Sequence, residues 1–144
     1  MFFLGVPPAE IPRARLYATP PARQAAYAVL HPKASAADKT WPAANFLQTA
    51  EHLEKQLGIE PVFIAGPGET LEEFGRYRTV IGAPLEGTKA LLAGASLFIG
   101  NDSGPAHMAA AFGLPTVVLF GSSDPEVWHP WRTESAASLS TCLC

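Results

Sequence analysis

The chain has 144 residues, 48% of them hydrophobic, with ten basic and thirteen acidic side chains and a formal net charge of −3. That is the size and composition of one domain with a full apolar core. A slightly acidic chain without a Lys/Arg run argues against nucleic acid as a partner. The longest nearly apolar stretch, residues 108–121, is broken by Gly113 and Pro115 and falls short of the roughly 18 residues that cross a membrane. "MFFLGVPP" lacks the basic start of an export signal. Cys142 and Cys144, the two cysteines of the chain, suit neither a disulfide framework nor a zinc knuckle. A soluble cytosolic domain is the expectation.

Residues 1–24 hold five of the fourteen prolines and no sustained period, which reads as a linker or lead-in. "AAYAVLH", residues 25–31, is a buried strand, followed by a polar loop over residues 32–41. Pro42 suits the first turn of a helix, and Phe46, Ala50, Leu53 and Leu57 keep helical spacing until Gly58. "PVFIAG" is the second strand, and "GETLEEFGRY" reads as a short helix after Pro67 and Gly68. "RTVIGA" is the third strand, "EGTKALLAGA" a helix with apolar Leu91 and Leu92, and "SLFIG" the fourth strand. "PAHMAAAFG" is a further helix, "TVVLFG" the fifth strand, and a second polar turn follows it. The tail, residues 131–144, is Ser/Thr-rich and irregular. Short apolar strands alternating with helices require crossover connections and a parallel sheet. The fold class is therefore α/β, a doubly wound, Rossmann-like parallel sheet of about five strands.

In such sheets ligands bind beyond the carboxyl ends of the strands, where strand order reverses. With the order 3-2-1-4-5 that point lies between strands one and four, whose loops are "HPKASAADKTWP" and "GNDSGPAH". The second loop opens a helix near Pro105, and unpaired N–H groups with the helix dipole make such a terminus an anion site. Gly104 lets a ligand approach the backbone closely, Ser103 offers a hydroxyl, and Asp102 suits a ligand hydroxyl or ammonium. Asn101, Asp102 and Ser103 are equally the residues that cap helices. The two readings stand level on this turn alone, and Lys39 tips the balance by placing a cation at the same mouth. His107, on the first turn of that helix, reads by itself as a structural histidine. The four histidines show no metal-ligand spacing, so no metal site is expected.

Three other motifs fail by their letters. "GPGETL" has Leu71 where the third glycine of a dinucleotide fingerprint belongs, and it follows the second strand. "NDSGP" has Asn101 at the first glycine of a nucleophile elbow. No glycine-rich loop ends in Gly-Lys-Ser/Thr.

"FIGNDSGPAHMAAAFGLPTVVLFGSSDP" resembles a signature of glycosyltransferase family 9, the ADP-heptose:lipopolysaccharide heptosyltransferases. "HPKASAADKTWPAANF", with its Lys-x-Trp-Pro core and following Phe, is similar to that family's loop after the first strand of the C-terminal domain. The likeness runs over residues 25–125. It implies the C-terminal half of a two-domain GT-B enzyme, with residues 25–130 as the nucleotide-sugar-binding domain. The resemblance assigns Lys39 to donor phosphate or sugar, Asp102 to heptose hydroxyls, and Ser103 and Gly104 to the diphosphate. It sets His107 beside that diphosphate and Glu69 near the nucleoside. The donor it implies is ADP-heptose or a similar nucleotide-sugar, with no further cofactor, and the acceptor a lipopolysaccharide core or other glycan. It places the enzyme in the cytoplasm, with peripheral association at the inner membrane face left open.

The family's N-terminal domain, which holds the acceptor and the general base, has no counterpart in these residues. No catalytic residue is therefore expected in this chain, and the isolated chain should be inactive unless a separate N-terminal half joins it. Asp124 and Glu126 are the other acids expected near the mouth. The alternative is a non-catalytic nucleotide-sugar-binding module or an inactive truncated remnant.

Overall fold

The computed structural model describes residues 12–22 and 25–130. Five strands, β1 (Tyr27–His31), β2 (Glu60–Ala65), β3 (Arg78–Ile81), β4 (Leu97–Asn101) and β5 (Thr116–Leu119), form one sheet in the order β3-β2-β1-β4-β5. All four pairings are parallel, with Leu30 opposite both Phe63 and Ile99. The helices are α1 (Ala43–Leu57), α2 (Leu85–Ala93), α3 (Gly104–Ala111) and the short α4 (Pro125–Trp128). The strand order reverses between β1 and β4, as the loop composition indicated.

Alternate residues of the central strands build two cores, because side chains along a strand point to opposite faces. Tyr27, Val29, Val62, Ile64 and Phe98 pack with Leu91 and Leu92 of α2 and with Ala106 and Ala109 of α3. Ala28, Leu30, Phe63 and Ile99 pack with Phe46, Ala50 and Leu53 of α1. Covered on both faces, β1 reads in sequence as a continuous apolar run.

Three expectations differ in detail. Leu57 keeps the spacing of α1's apolar face yet is 57% exposed. Gly58 turns left-handed directly after it (φ 64°), and Ile59, folded back by a hydrogen bond to the Leu53 carbonyl, covers the core in its place. This hydrophobic closure is common at glycine-terminated helices. The stretch after Pro67 forms a single 3-10 turn, Glu72–Phe74, rather than a helix. Phe74 is fully buried and stacks on Phe63 at 4.3 Å between ring centroids. That anchor fixes the crossover within one turn, and an α-helix is not needed to fill the space. The polar turn after β5 contains α4, which begins where the Asp124 carboxylate accepts the Glu126 N–H (2.9 Å) with Pro125 at the first helical position.

Residues 12–22 contain no helix or strand and lie along the sheet's α2/α3 side. The Arg13 guanidinium donates to the Ala110 carbonyl (2.8 Å) and the Leu16 N–H to the Ala111 carbonyl (3.2 Å). The Leu16 bond satisfies a carbonyl that the end of α3 leaves open, and the Arg13 bond adds a second donor to one that already accepts the Gly113 N–H (2.9 Å). Residues 1–11, 23–24 and 131–144, part of the lead-in and the tail, fall outside the described residues.

Candidate functional site

The site is built where β1 and β4 end side by side. His31 closes β1 opposite Gly100 of β4. A Cβ on Gly100 would lie 3.0 Å from the His31 Cβ and 2.8 Å from the Phe98 ring, so glycine there makes room for the imidazole. One residue on, Asn101 is fully buried. Its Oδ1 accepts the Trp41 N–H (3.0 Å) and its Nδ2 donates to the Pro32 carbonyl (2.9 Å). Asn101 thereby pins both ends of the loop between β1 and α1. Its part is to hold that loop.

The Asp102 N–H pairs with the Leu119 carbonyl (3.1 Å). Its half-buried carboxylate makes no hydrogen bond or ion pair with any described residue. Ser103 stands at the N-cap of α3 with extended backbone, and its side chain caps nothing. Its hydroxyl instead donates to the Asn101 carbonyl (2.9 Å) and meets the His31 Nδ1 at 3.1 Å. The start of α3 thus receives no hydrogen bond from the side chains of its own turn, and the Gly104 end stays open to solvent. The capping role that Asn101, Asp102 and Ser103 could have played is not the one they adopt.

Two cavities of about 370 Å³ each open at this end of the sheet. The polar one is walled by Lys33, Ser35, Asp102, Ser103 and Gly104. The apolar one is walled by Ile64, Ala65, Val80, Ala83 and Leu91, with Thr88 at its side. His31, Glu69 and Pro105 belong to both and mark their junction. Glu69 is held there because its Oε2 accepts the Gly66 N–H (2.5 Å), which folds the turn after β2 back on itself. Lys33, on the wall of the polar cavity, pairs with Glu73 at 3.2 Å. Burial lowers the pKa of His31, and the nearby Glu69 carboxylate partly opposes that shift.

Of the residues named from sequence, Glu69, Asp102, Ser103 and Gly104 share the polar cavity. Lys39 lines a third cavity of about 390 Å³ on the β5 side, with Trp41, Asn101, Leu119 and Ser122. Its 3-10 turn packs directly on the chain leaving β5. A Cβ on Gly121 would lie 2.1 Å from the Asp38 carbonyl oxygen and 2.8 Å from the Lys39 Cα. His107 is exposed on the first turn of α3 and lines none of the three cavities. Asp124 and Glu126, on α4, line none of them either. The structure adds His31 and Lys33. The signal for His31 was its position as the last residue of the strand at the reversal point.

The doubly wound parallel sheet with a divided trough at its reversal point defines a Rossmann-like α/β domain, a class in which ligands sit at that reversal. Residues 8–144 match glycosyltransferase family 9 (heptosyltransferase), and the chain belongs to that family. It is 35% identical over 116 residues to a lipopolysaccharide heptosyltransferase 3 of Escherichia coli, covering 73% of this chain and 34% of that protein. A dodecameric iron-containing heptosyltransferase, TibC, solved with ADP-D-β-D-heptose, superposes with a TM-score of 0.76 at 28% identity, covering 96% of this chain and 38% of that one. TibC is described as coming from enterotoxigenic E. coli. The family 9 glycosyl transferase of Veillonella parvula superposes with a TM-score of 0.69 at 28% identity, over 81% of this chain and 36% of that one. The chain spans about a third of the length of these relatives. Among the described residues no group of three or more His, Cys, Asp or Glu side chains is placed to hold a metal ion. No helix among them is long and apolar enough to cross a membrane.

Proposed function

We propose that residues 25–130 form the donor-binding half of a heptosyltransferase, taking ADP-heptose or a closely similar nucleotide-sugar for transfer to a lipopolysaccharide-core or other glycan acceptor. The observation that carries this reading is the divided trough at the strand reversal. One compartment is apolar, the other polar with an uncapped helix start, and they meet at Glu69. A nucleoside diphosphate has the same division. The base fits the compartment of Ile64, Val80 and Leu91, and the diphosphate fits the open Gly104 N–H at the start of α3, with Lys33 on the wall of the same cavity. Ser103 and Gly104 meet the diphosphate, and Asp102, whose carboxylate has no protein partner, accepts heptose hydroxyls. Lys39 approaches the donor from the β5 side, and His107 stands beyond the diphosphate on the first turn of α3.

The chemistry of this reading is transfer with inversion. An acceptor hydroxyl loses its proton to a base and attacks the anomeric carbon, and the bond to the diphosphate oxygen breaks. The residues here act on the leaving group, whose growing negative charge is met by the dipole of α3 and the N–H of Gly104. The acceptor and the general base come from a second domain, in the cytoplasm or at the inner membrane face. A non-catalytic nucleotide-sugar-binding module is the second reading, since the same two compartments account equally for binding a donor without transferring its sugar.

Calorimetry with ADP, followed by a transfer assay from ADP-heptose to a lipopolysaccharide core, tests both. We expect saturable ADP binding, no turnover by this chain alone, and turnover once an N-terminal family 9 domain is added. Loss of a general base removes about 10²–10⁴-fold in rate, and loss of acceptor positioning removes more. Absence of ADP binding overturns the donor site. Binding without turnover in the presence of that domain favours the second reading.

A further inference from the structure

The hydrogen bonds around Ser103 determine which nitrogen of His31 carries its proton. A serine hydroxyl has one hydrogen. At 2.9 Å from the Asn101 carbonyl oxygen, which can only accept, the Ser103 Oγ must donate. The His31 Nδ1, 3.1 Å from that same Oγ, must then be the N–H that donates to it. A neutral imidazole protonated at Nδ1 leaves Nε2 as a bare acceptor. Nε2 makes no hydrogen bond with any described residue. Ser123 Oγ is the buried side-chain polar atom left without a partner among the described residues. Nε2 is therefore not sealed in the protein, and the spaces His31 borders are the two cavities of the trough.

The junction of those cavities carries a second acceptor. One oxygen of Glu69 is taken by the Gly66 N–H, which leaves the other free. No N–H or O–H donor stands at the junction itself, whose third member is Pro105. Two acceptors without a donor select a ligand group that brings its own O–H hydrogens and disfavour a phosphate or carbonyl. We propose that His31 is a specificity-determining contact of the donor site, its Nε2 accepting a hydrogen bond from one ribose hydroxyl of the nucleotide while Glu69 accepts from the other. The inference rests on the donor-site reading above, because ribose is the part of a nucleoside diphosphate that links base to phosphate and so falls at the junction.

Burial favours the neutral ring that this role needs, keeping His31 deprotonated below its ordinary titration range. The charged groups facing it are Glu69 from the turn after β2, Lys33 from the loop after β1 and Asp102 from the turn after β4. The α2 wall contributes Thr88 and Leu91, which carry no charge.

The test compares affinities of the full chain for ADP, 2′-deoxy-ADP and 3′-deoxy-ADP, in wild type, His31→Asn and His31→Gln. Asparagine can keep an N–H near the Nδ1 position for Ser103 but has nothing at Nε2. Glutamine can place an amide oxygen near Nε2. Wild type should prefer ADP to each deoxy form by about three- to tenfold, the worth of one neutral hydrogen bond. His31→Asn should lose the preference for one hydroxyl and keep the other, held by Glu69, and His31→Gln should retain much of both. Undiminished preference for both hydroxyls in His31→Asn, with ADP still bound, overturns the role of His31 and leaves the donor site standing. Failure of wild type to bind ADP overturns both. Should His31→Asn not fold, imidazole ¹⁵N shifts of the wild type decide. We expect Nε2 to be unprotonated and to shift with ADP but not with 2′,3′-dideoxy-ADP. A protonated Nε2, or equal shifts with both ligands, rejects the proposal.

Discussion

The two sides of Asn101 differ although one loop lines both. On the α3 side, the trough is made of groups that the fold leaves without partners: the Asp102 carboxylate, the open start of α3 and the second oxygen of Glu69. On the β5 side, the Lys39 cavity lies over a 3-10 turn pressed so closely on Gly121 that no side chain fits between them. On the first side the Ser103 hydroxyl and one Glu69 oxygen are engaged within the protein, while the Asp102 carboxylate and the second Glu69 oxygen have no partner among the described residues. The second is a closely packed corner whose cavity is lined by one half-buried cation, Lys39. Asn101, by bonding to both ends of the loop, holds the two apart.

Removing that divider is expected to have the largest effect. Asn101→Ala strands the Trp41 N–H and the Pro32 carbonyl, and each buried group left unpaired costs about 1–3 kcal/mol. Chemical denaturation should show the loss, with a lower midpoint at an unchanged slope. A midpoint equal to wild type would mean the loop is pinned by other contacts.

Asp102 and Lys39 sharpen the comparison next, each on its own side. Asp102→Ala removes no cap, so stability should change by no more than about 0.5 kcal/mol. Affinity for ADP-heptose should fall while that for ADP holds. Lys39→Ala should weaken donor binding by about tenfold if the cation reaches the phosphates, the size of one charge-assisted hydrogen bond. Calorimetry with both ligands separates the cases. Equal affinities for wild type and Lys39→Ala would confine that side to packing.

The smallest effect is in pH. His31 has a folded pKa below that of the unfolded chain, so the unfolded state takes up the proton first. Its contribution to stability is complete above about pH 6.5, the ordinary histidine value, and is lost as pH falls through the folded pKa. Thermal melts between pH 7.5 and 5 should show a decline that His31→Gln reduces. An identical decline in the variant would assign it to other groups.

Much of this was readable in the residues. The alternation of apolar runs and helical spacings placed five strands and the helices α1, α2 and α3, because hydrophobic period follows directly from backbone geometry. Gly58 ended α1 where expected, since a left-handed turn favours a residue without a Cβ. Asp102, Ser103 and Gly104, named from the loop after the fourth strand, and Glu69, named through the family resemblance, wall one cavity. Lys39 was named with them and lines another, because loop composition carries no information about which way a loop is tied.

What the chain by itself determined was local: where strands and helices form, and which turns are rich in polar groups. Tertiary structure alone decided which of those groups remain free. Asn101, Asp102 and Ser103 are chemically similar cap formers, yet one is spent on the neighbouring loop, one is unpaired, and one turns inward to His31. The difference arises because hydrogen-bond partners are set by residues distant in the chain: Pro32 and Trp41 for Asn101, and His31 for Ser103. These meet only when β1 and β4 pair.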